Sequence, residues 1–325
     1  GAGTGRIAFV RTDTKGARSL YVVNADGSNQ QQVTDSIVVE GTITWTPDGK
    51  SVVMQAGVEG ISRVVQVGIG ADNKMSDSAQ LTADVTGDSA FPAISPDGRM
   101  VAYQFKPTGG QFQIYVMNIN GSNKRMISDG QGVASLPTWS PDSKSLAYVE
   151  GADQTAGSVK EIWTAPVEGG APKKLTSTGV ALTYPTWSPD GKSIVSAEIV
   201  SERVYKLLIM DNNGANPKTL DEGVIIRWPL FSPTGDAIVY YTISGVGNDI
   251  NIYDLASERH SSPTKNQGDN YQGAWSPDGK MLTWANYPAG GSEHKIVIAN
   301  RDGSNRRIVS SGEGDDSQPT WGVVK

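Results

Sequence analysis

The chain has 325 residues, 37% of them hydrophobic, with 38 glycines, 17 prolines and no cysteine; 34 acidic against 28 basic side chains leave a net charge of −6. That balance argues against nucleic acid as a main partner, and the missing cysteines exclude disulfides, thiol catalysis and thiolate metal sites. No stretch reaches the ~18 consecutive apolar residues of a membrane span.

The chain opens at Gly1-Ala2-Gly3-Thr4-Gly5 without an initiator methionine or a signal peptide, as expected of the mature form of an exported bacterial protein. An apolar run follows at Arg6-Ile7-Ala8-Phe9-Val10, and a second at Leu20-Tyr21-Val22-Val23. A Gly/Asn/Asp turn spans Asn24 to Asn29, and a short third piece is Gln32-Val33-Thr34. A fourth piece runs into Trp45-Thr46-Pro47-Asp48-Gly49-Lys50, and then the same order begins again. Further copies of the hexapeptide are Ile94-Ser95-Pro96-Asp97-Gly98-Arg99, Trp139-Ser140-Pro141-Asp142-Ser143-Lys144, Trp187-Ser188-Pro189-Asp190-Gly191-Lys192, Phe231-Ser232-Pro233-Thr234-Gly235-Asp236 and Trp275-Ser276-Pro277-Asp278-Gly279-Lys280. A half-copy, Pro319-Thr320-Trp321-Gly322, ends the series. Each copy lies 44 to 49 residues after the last, a period that marks a repeat architecture.

The apolar runs are rich in β-branched and aromatic residues and lack helical periodicity, so they read as strands. Proline suits position i+1 of a type I turn, Asp tolerates i+2, and Gly supplies the positive φ that follows. The hexapeptide is therefore a hairpin turn, with its Trp ring placed to fill a wedge between neighbouring sheets. Four strands per repeat, repeated seven times, predict an all-β, seven-bladed β-propeller of four-stranded antiparallel blades over residues 1–325. The C-terminal strand at Gln318-Pro319-Thr320-Trp321 is expected to complete the N-terminal blade.

The hexapeptide, its apolar strand and Ile114-Tyr115-Val116-Met117-Asn118-Ile119-Asn120-Gly121-Ser122-Asn123 resemble the repeat of the TolB-type β-propeller family. The resemblance implies that loops leaving each third strand, and loops joining the first two long strands, share one face around a channel. On that reading Asp35, Glu40, Asp84, Asp88, Asp129, Asp221, Glu222, Asp269, Glu313, Asp315 and Asp316 make one channel mouth acidic. Asp88, Asp269, Asp315 and Asp316 are the candidates to hold a hard cation such as Ca²⁺ through oxygen ligands. Aromatic and basic residues on the same loops, Tyr184, Arg227, Trp228, Tyr271, Tyr287 and His294, with Phe91 beside them, suit a sugar face, a peptide or a cationic ligand. Irregular loops at residues 150–160, 198–206 and 287–295 break the repeat and are where function is expected to be placed.

Catalysis has fewer parts to draw on. Two histidines, His260 and His294, do not form the histidine cluster that oligogalacturonate lyases of this repeat type use with a metal. No Gly-x-Ser-x-Gly elbow is present, so peptidase activity is not expected of this chain alone. The expectation is a monomeric, periplasmic or extracellular binding or scaffold module that takes a peptide, an oligosaccharide or a cation. The alternative is a polysaccharide lyase of the seven-bladed propeller type, in which His294 with Tyr287 supplies the base. A repeat scaffold without a ligand is the third reading.

Overall fold

Each hexapeptide folds as a hairpin closed by its own side chains. At Trp187–Lys192 the Gly191 N–H meets the Ser188 carbonyl at 2.9 Å, closing a turn with Pro189 and Asp190 at its centre. Gly191 then takes φ +71, a region that costs a non-glycine residue about 1 kcal/mol. The Ser188 hydroxyl donates to Asp190 Oδ1 at 2.6 Å and accepts the Ser193 N–H at 2.9 Å, while the Lys192 N–H reaches the same carboxylate at 3.0 Å. The turns at Ser95, Ser140 and Ser276 repeat these contacts. Phe231–Asp236 lacks the acid at its fourth position, and the structure supplies it two residues later. Asp236 Oδ1 accepts from Ser232 at 2.6 Å and from Thr234 at 2.7 Å, and its second oxygen binds Arg301.

This computed structural model describes residues 5–155, 157–244, 247–265 and 267–323, and among them every regular element is a strand. Two compact units divide the chain: residues 1–80 with 232–325, and residues 81–231. The first unit carries β1 (Arg6–Thr12), β2 (Arg18–Asn24), β3 (Gln31–Gln32), β4 (Val38–Trp45), β5 (Ser51–Val58), β6 (Ile61–Ile69) and β7 (Met75–Gln80). The second unit carries β8 (Gly87–Ile94), β9 (Met100–Pro107), β10 (Gln113–Asn118), β11 (Arg125–Met126), β12 (Val133–Trp139), β13 (Ser145–Gly151), β14 (Lys160–Pro166), β15 (Lys173–Lys174), β16 (Ala181–Trp187), β17 (Ser193–Ile199), β18 (Tyr205–Asp211), β19 (Lys218–Glu222) and β20 (Ile225–Phe231). The first unit resumes with β21 (Ala237–Ser244), β22 (Gly247–Asp254), β23 (Arg259–Ser261), β24 (Asp269–Trp275), β25 (Met281–Tyr287), β26 (Lys295–Asn300), β27 (Arg307–Ile308) and β28 (Asp315–Gly322).

In the first unit the sheets are β28-β1-β2-β3, β4-β5-β6-β7 and β24-β25-β26-β27, with β21, β22 and β23 paired in order. The expected union of the two ends is present: β28 lies antiparallel to β1, with Arg6 opposite Gly322 and Ile7 opposite Trp321. Packing explains why β1 reads as continuously apolar rather than alternating. Ala8 and Val10 face Trp45, Val52 and Met54 of the β4–β7 sheet. Ile7 and Phe9 face Met281, Ala285 and Ile296 of the β24–β27 sheet. Both faces of the strand are covered, so alternate residues are all apolar.

The second unit repeats the scheme with β8–β11, β12–β15 and β16–β19, the last two joined into one sheet by a single parallel bridge from Lys160 of β14 to Ala181 of β16. Leu146 and Tyr148 of β13 pack toward Ala102, Ile114 and Val116, and Ala147 and Val149 pack toward Leu182 and Ile194. The tryptophan wedge is present as well, for the Trp139 indole N–H donates to the Ala93 carbonyl at 2.9 Å. In the first unit Trp45 reaches the Thr320 carbonyl at 3.2 Å.

Several outer strands are only two residues long because a hydroxyl takes over the ladder. Thr34, Ser128, Thr176, Thr264 and Ser310 each accept the N–H of a residue in the second long strand, at 2.8 to 3.0 Å. One substitution probes the turn directly. Ser188→Ala removes the acceptor of the Ser193 N–H and the donor to Asp190, and urea unfolding should read a loss of about 1–3 kcal/mol. No loss would show that the hydroxyl contributes nothing to the hairpin.

Candidate functional site

A β-bulge recurs where each sheet's first strand approaches its hexapeptide. The register slips between Ala90 and Ala93, Ser135 and Thr138, Thr183 and Thr186, and Tyr271 and Ala274. Inside it one residue takes a left-handed backbone: Phe91 at φ 49, Leu136 at 56, Tyr184 at 53, Trp228 at 46, Gln272 at 57 and Gln318 at 53. For side chains of this size a positive φ stores roughly 1–3 kcal/mol and is worth keeping only where surroundings demand it. A partial signal is present in the residues that follow. Proline follows five of the six residues, and a residue before proline is pushed out of the right-handed helical region.

In the second unit these residues border a cavity of about 300 Å³. Phe91, Leu136 and Tyr184 line it with Gln104, Tyr205, Arg227, Lys160 and Asp153. Arg227 Nη1 donates to the Tyr184 hydroxyl at 3.1 Å, and Trp228 meets the Tyr184 ring edge-on at 5.8 Å. Burial pushes the Tyr184 phenol above its ordinary range while Arg227 pulls against it, so it stays neutral at pH 7. Lys160 is pulled down by burial and up by Asp153. Gln104, only 3% exposed, points its Oε1 at the Leu136 N–H, 2.9 Å away. The irregular loops at 150–160 and 198–206 supply Asp153, Gln154, Ile199 and Tyr205 to the same walls.

A second cavity, of about 220 Å³, lies in the first unit at the same point of the repeat. Tyr241, Tyr271, Gln272, His294, Asp315 and Asp316 line it. The His294 ring sits 5.1 Å from Tyr271 and 5.1 Å from Tyr287, centroid to centroid. Its Nδ1 lies 2.7 Å from Asp315 Oδ1, which also accepts the His294 N–H at 2.7 Å. Asp316 is fully buried and forms a two-point ion pair with Arg11, at 2.6 and 2.9 Å.

The residues singled out in the sequence therefore fall into two groups. Tyr184, Arg227 and Trp228 meet in the second unit, and Tyr271, Tyr287 and His294 meet in the first. The four candidate cation ligands have other partners or places. Asp88 is an exposed residue of β8 opposite Lys106, Asp269 accepts the Asn248 N–H at 3.1 Å, Asp315 holds His294 and Asp316 holds Arg11. Among the described residues no three Asp, Glu or His side chains stand together as a metal ligand set. His260, away from both cavities, meets the Tyr240 hydroxyl at 2.9 Å.

Two residues with unusual settings were not singled out as candidates in the sequence. Gln104 has no motif around it, since it sits inside an ordinary apolar strand. Glu150 is the other: it is 7% exposed, and its Oε2 has no hydrogen-bond partner. Burial, reinforced by Asp129, pushes its carboxyl up to about 7.

A family model described as the TolB beta propeller domain matches residues 4–203 and 195–323. The chain belongs to this family. Its fold is accordingly a TolB-type β-propeller, all-β and built from repeated four-stranded antiparallel sheets. A TolB homolog of Chlorobium chlorochromatii is 27% identical over 146 residues, which make up 44% of this chain and 31% of that relative. The matched stretch is thus less than a third of that relative's length. Among solved structures, TolB of Acinetobacter baumannii aligns with a TM-score of 0.61 at 20% identity, over 99% of this chain and 68% of the other. An oligogalacturonate lyase of Vibrio parahaemolyticus aligns at 0.66 with 13% identity, over 94% and 86%. At these identities the likeness is one of fold, and this propeller carries binders and enzymes alike.

Glu150 gives a pH test. A folded-state pKa above the ordinary carboxylate value means that the native chain binds the extra proton, so stability falls as pH rises from about 4.5 to about 7 and levels off above. Glu150→Gln should match the parent in thermal unfolding at pH 4.5 and exceed it at pH 8. Equal melting temperatures at pH 8 would show that the carboxyl is not destabilised by its site.

Proposed function

We propose that the chain is a non-catalytic binding module, a propeller of seven blades closed by the β28–β1 pairing, that holds a peptide or glycan segment in the second unit's cavity. Six hexapeptide copies with a closing half-copy, and the β28–β1 ladder, support the blade count and the closure. The observation that carries the binding reading is the set of bulky residues held at positive φ on one cavity wall, Phe91, Leu136 and Tyr184. Strain of this kind gathers at ligand clamps, and the wall combines aromatic faces with a guanidinium and a buried amide, the mixture usual for ligand pockets. The family resemblance supports an exported protein that acts through a bound partner.

The test is thermal unfolding with a panel of neutral and acidic oligosaccharides, acidic and basic peptides, and Ca²⁺ with an EDTA control. A ligand at a hundred times its Kd should add about 2.7 kcal/mol to native stability. Phe91→Ala removes a partly exposed ring and should reduce that ligand-induced shift while leaving the ligand-free melting temperature nearly unchanged. A panel without any shift would refute binding and leave a scaffold.

The first unit's cavity favours one second reading. An imidazole anchored to a carboxylate through one nitrogen keeps the other for proton transfer, so His294 on Asp315 with Tyr287 beside it is an arrangement a lyase can use. Arg11, the guanidinium next to these residues, is committed to Asp316, which weakens that reading for an acidic substrate. Incubation with uronate polymers, followed by ultraviolet absorbance of the unsaturated product, decides it. Lyase activity lost in His294→Ala would replace the binding reading.

A further inference from the structure

We propose that the second unit's cavity recognises a carboxylate group, held between the Gln104 amide, the Arg227 guanidinium and the Tyr184 hydroxyl. The proposal rests on this cavity being the ligand site and goes on to name the chemistry that it takes.

Gln104 carries most of the argument. Its side-chain oxygen is fixed by the Leu136 N–H, so the amide cannot turn over without losing that bond. The NH₂ group is therefore the part left for the cavity, and Nε2 makes no hydrogen bond among the described residues. Gln104 is 3% exposed, yet its NH₂ group is not among the side-chain atoms sealed from solvent without a partner, so it opens on the cavity and can donate to an acceptor that enters.

The neighbouring groups have the same polarity. Tyr184 accepts a hydrogen bond from Arg227, which leaves its own proton to donate. Arg227 brings a permanent positive charge and a fork suited to carboxylates. Lys160, on the same wall, is steadied by the Thr155 carbonyl at 2.5 Å and the Ser158 hydroxyl at 2.8 Å. Asp153 is the one carboxylate on the lining; it accepts the Thr155 N–H at 2.8 Å and offsets the charge of nearby Lys160. The donors of Gln104, Tyr184 and Arg227 select a ligand that accepts hydrogen bonds, and the Arg227 charge favours a negative one. A volume of about 300 Å³ is at the small end for ligand cavities, enough for one sugar ring or one amino-acid side chain.

Isothermal titration of the full chain with D-glucuronate, N-acetyl-L-glutamate and their uncharged amides, D-glucuronamide and N-acetyl-L-glutamine, tests this. At least one acid should bind, and its amide should bind at least ~10-fold more weakly. Which acid wins tells a glycan source from a peptide source. Gln104→Glu keeps an oxygen for the Leu136 N–H but puts an anion where the NH₂ group stood, and should cost the acid at least ~100-fold in Kd. Arg227→Gln, an independent variant with no change in strand hydrophobicity, should also weaken the acid selectively. An amide that binds as tightly as its acid overturns the carboxylate assignment and leaves the binding reading standing. Undiminished acid affinity in a folded Gln104→Glu variant overturns the placement. Absence of binding by all four probes overturns the carboxylate assignment, and the binding reading falls with it only if the wider thermal panel is also silent.

Discussion

The sheets that hold β1 and β13 each have two apolar faces, and neither sheet can cover both by itself. β1 shows the constraint most plainly, with Ile7 and Phe9 committed to one neighbour and Ala8 and Val10 to another. Burying one such side chain is worth about 1.5–3 kcal/mol, so a repeat alone in water would leave half of that undone. Stacking is therefore compulsory. Much else follows from keeping the sheets stackable: the tight hairpin at each Ser-Pro-Asp-Gly, the indole wedge between neighbours, and the short outer strands finished by a hydroxyl.

The turn and the strands were legible because each depends on local chemistry. Proline, Asp and Gly at fixed offsets can do little but make a type I turn, and even the irregular copy obeys: Asp236 reaches the same serine hydroxyl from two positions further on. The bulge was only half legible. Proline after Tyr184 and Trp228 keeps both out of the right-handed helical region, but nothing local sends them to positive φ, because the cost is intrinsic to the residue and the compensation comes from elsewhere in the fold. The same holds for Gln104, whose role is set by the backbone N–H of Leu136 on another sheet. The sequence pointed to Tyr184, Arg227 and Trp228 as loop residues of suitable chemistry, and contact between them was decided by packing.

Electrostatics show the limit of counting charges. The loop carboxylates look like one acidic field when read as a list of residues, yet several are spent locally. Asp316 is buried against Arg11, Asp84 meets Lys124 at 2.8 Å, and Asp315 is tied to His294. A carboxylate that already has a partner attracts a passing cation weakly, whereas Glu150 is costly to ionise because it is buried and because Asp129 stands beside it.

The antiparallel pairing of β28 with β1 has a mechanical side. Arg6 lies opposite Gly322, so the strand ends nearest the two termini are neighbours at one end of the ladder. A force drawing the ends of the molecule apart would load these bonds one after another, as in opening a zipper, rather than all together in shear. The latch that joins the two ends of the polypeptide is thus the seam along which tension would first part it.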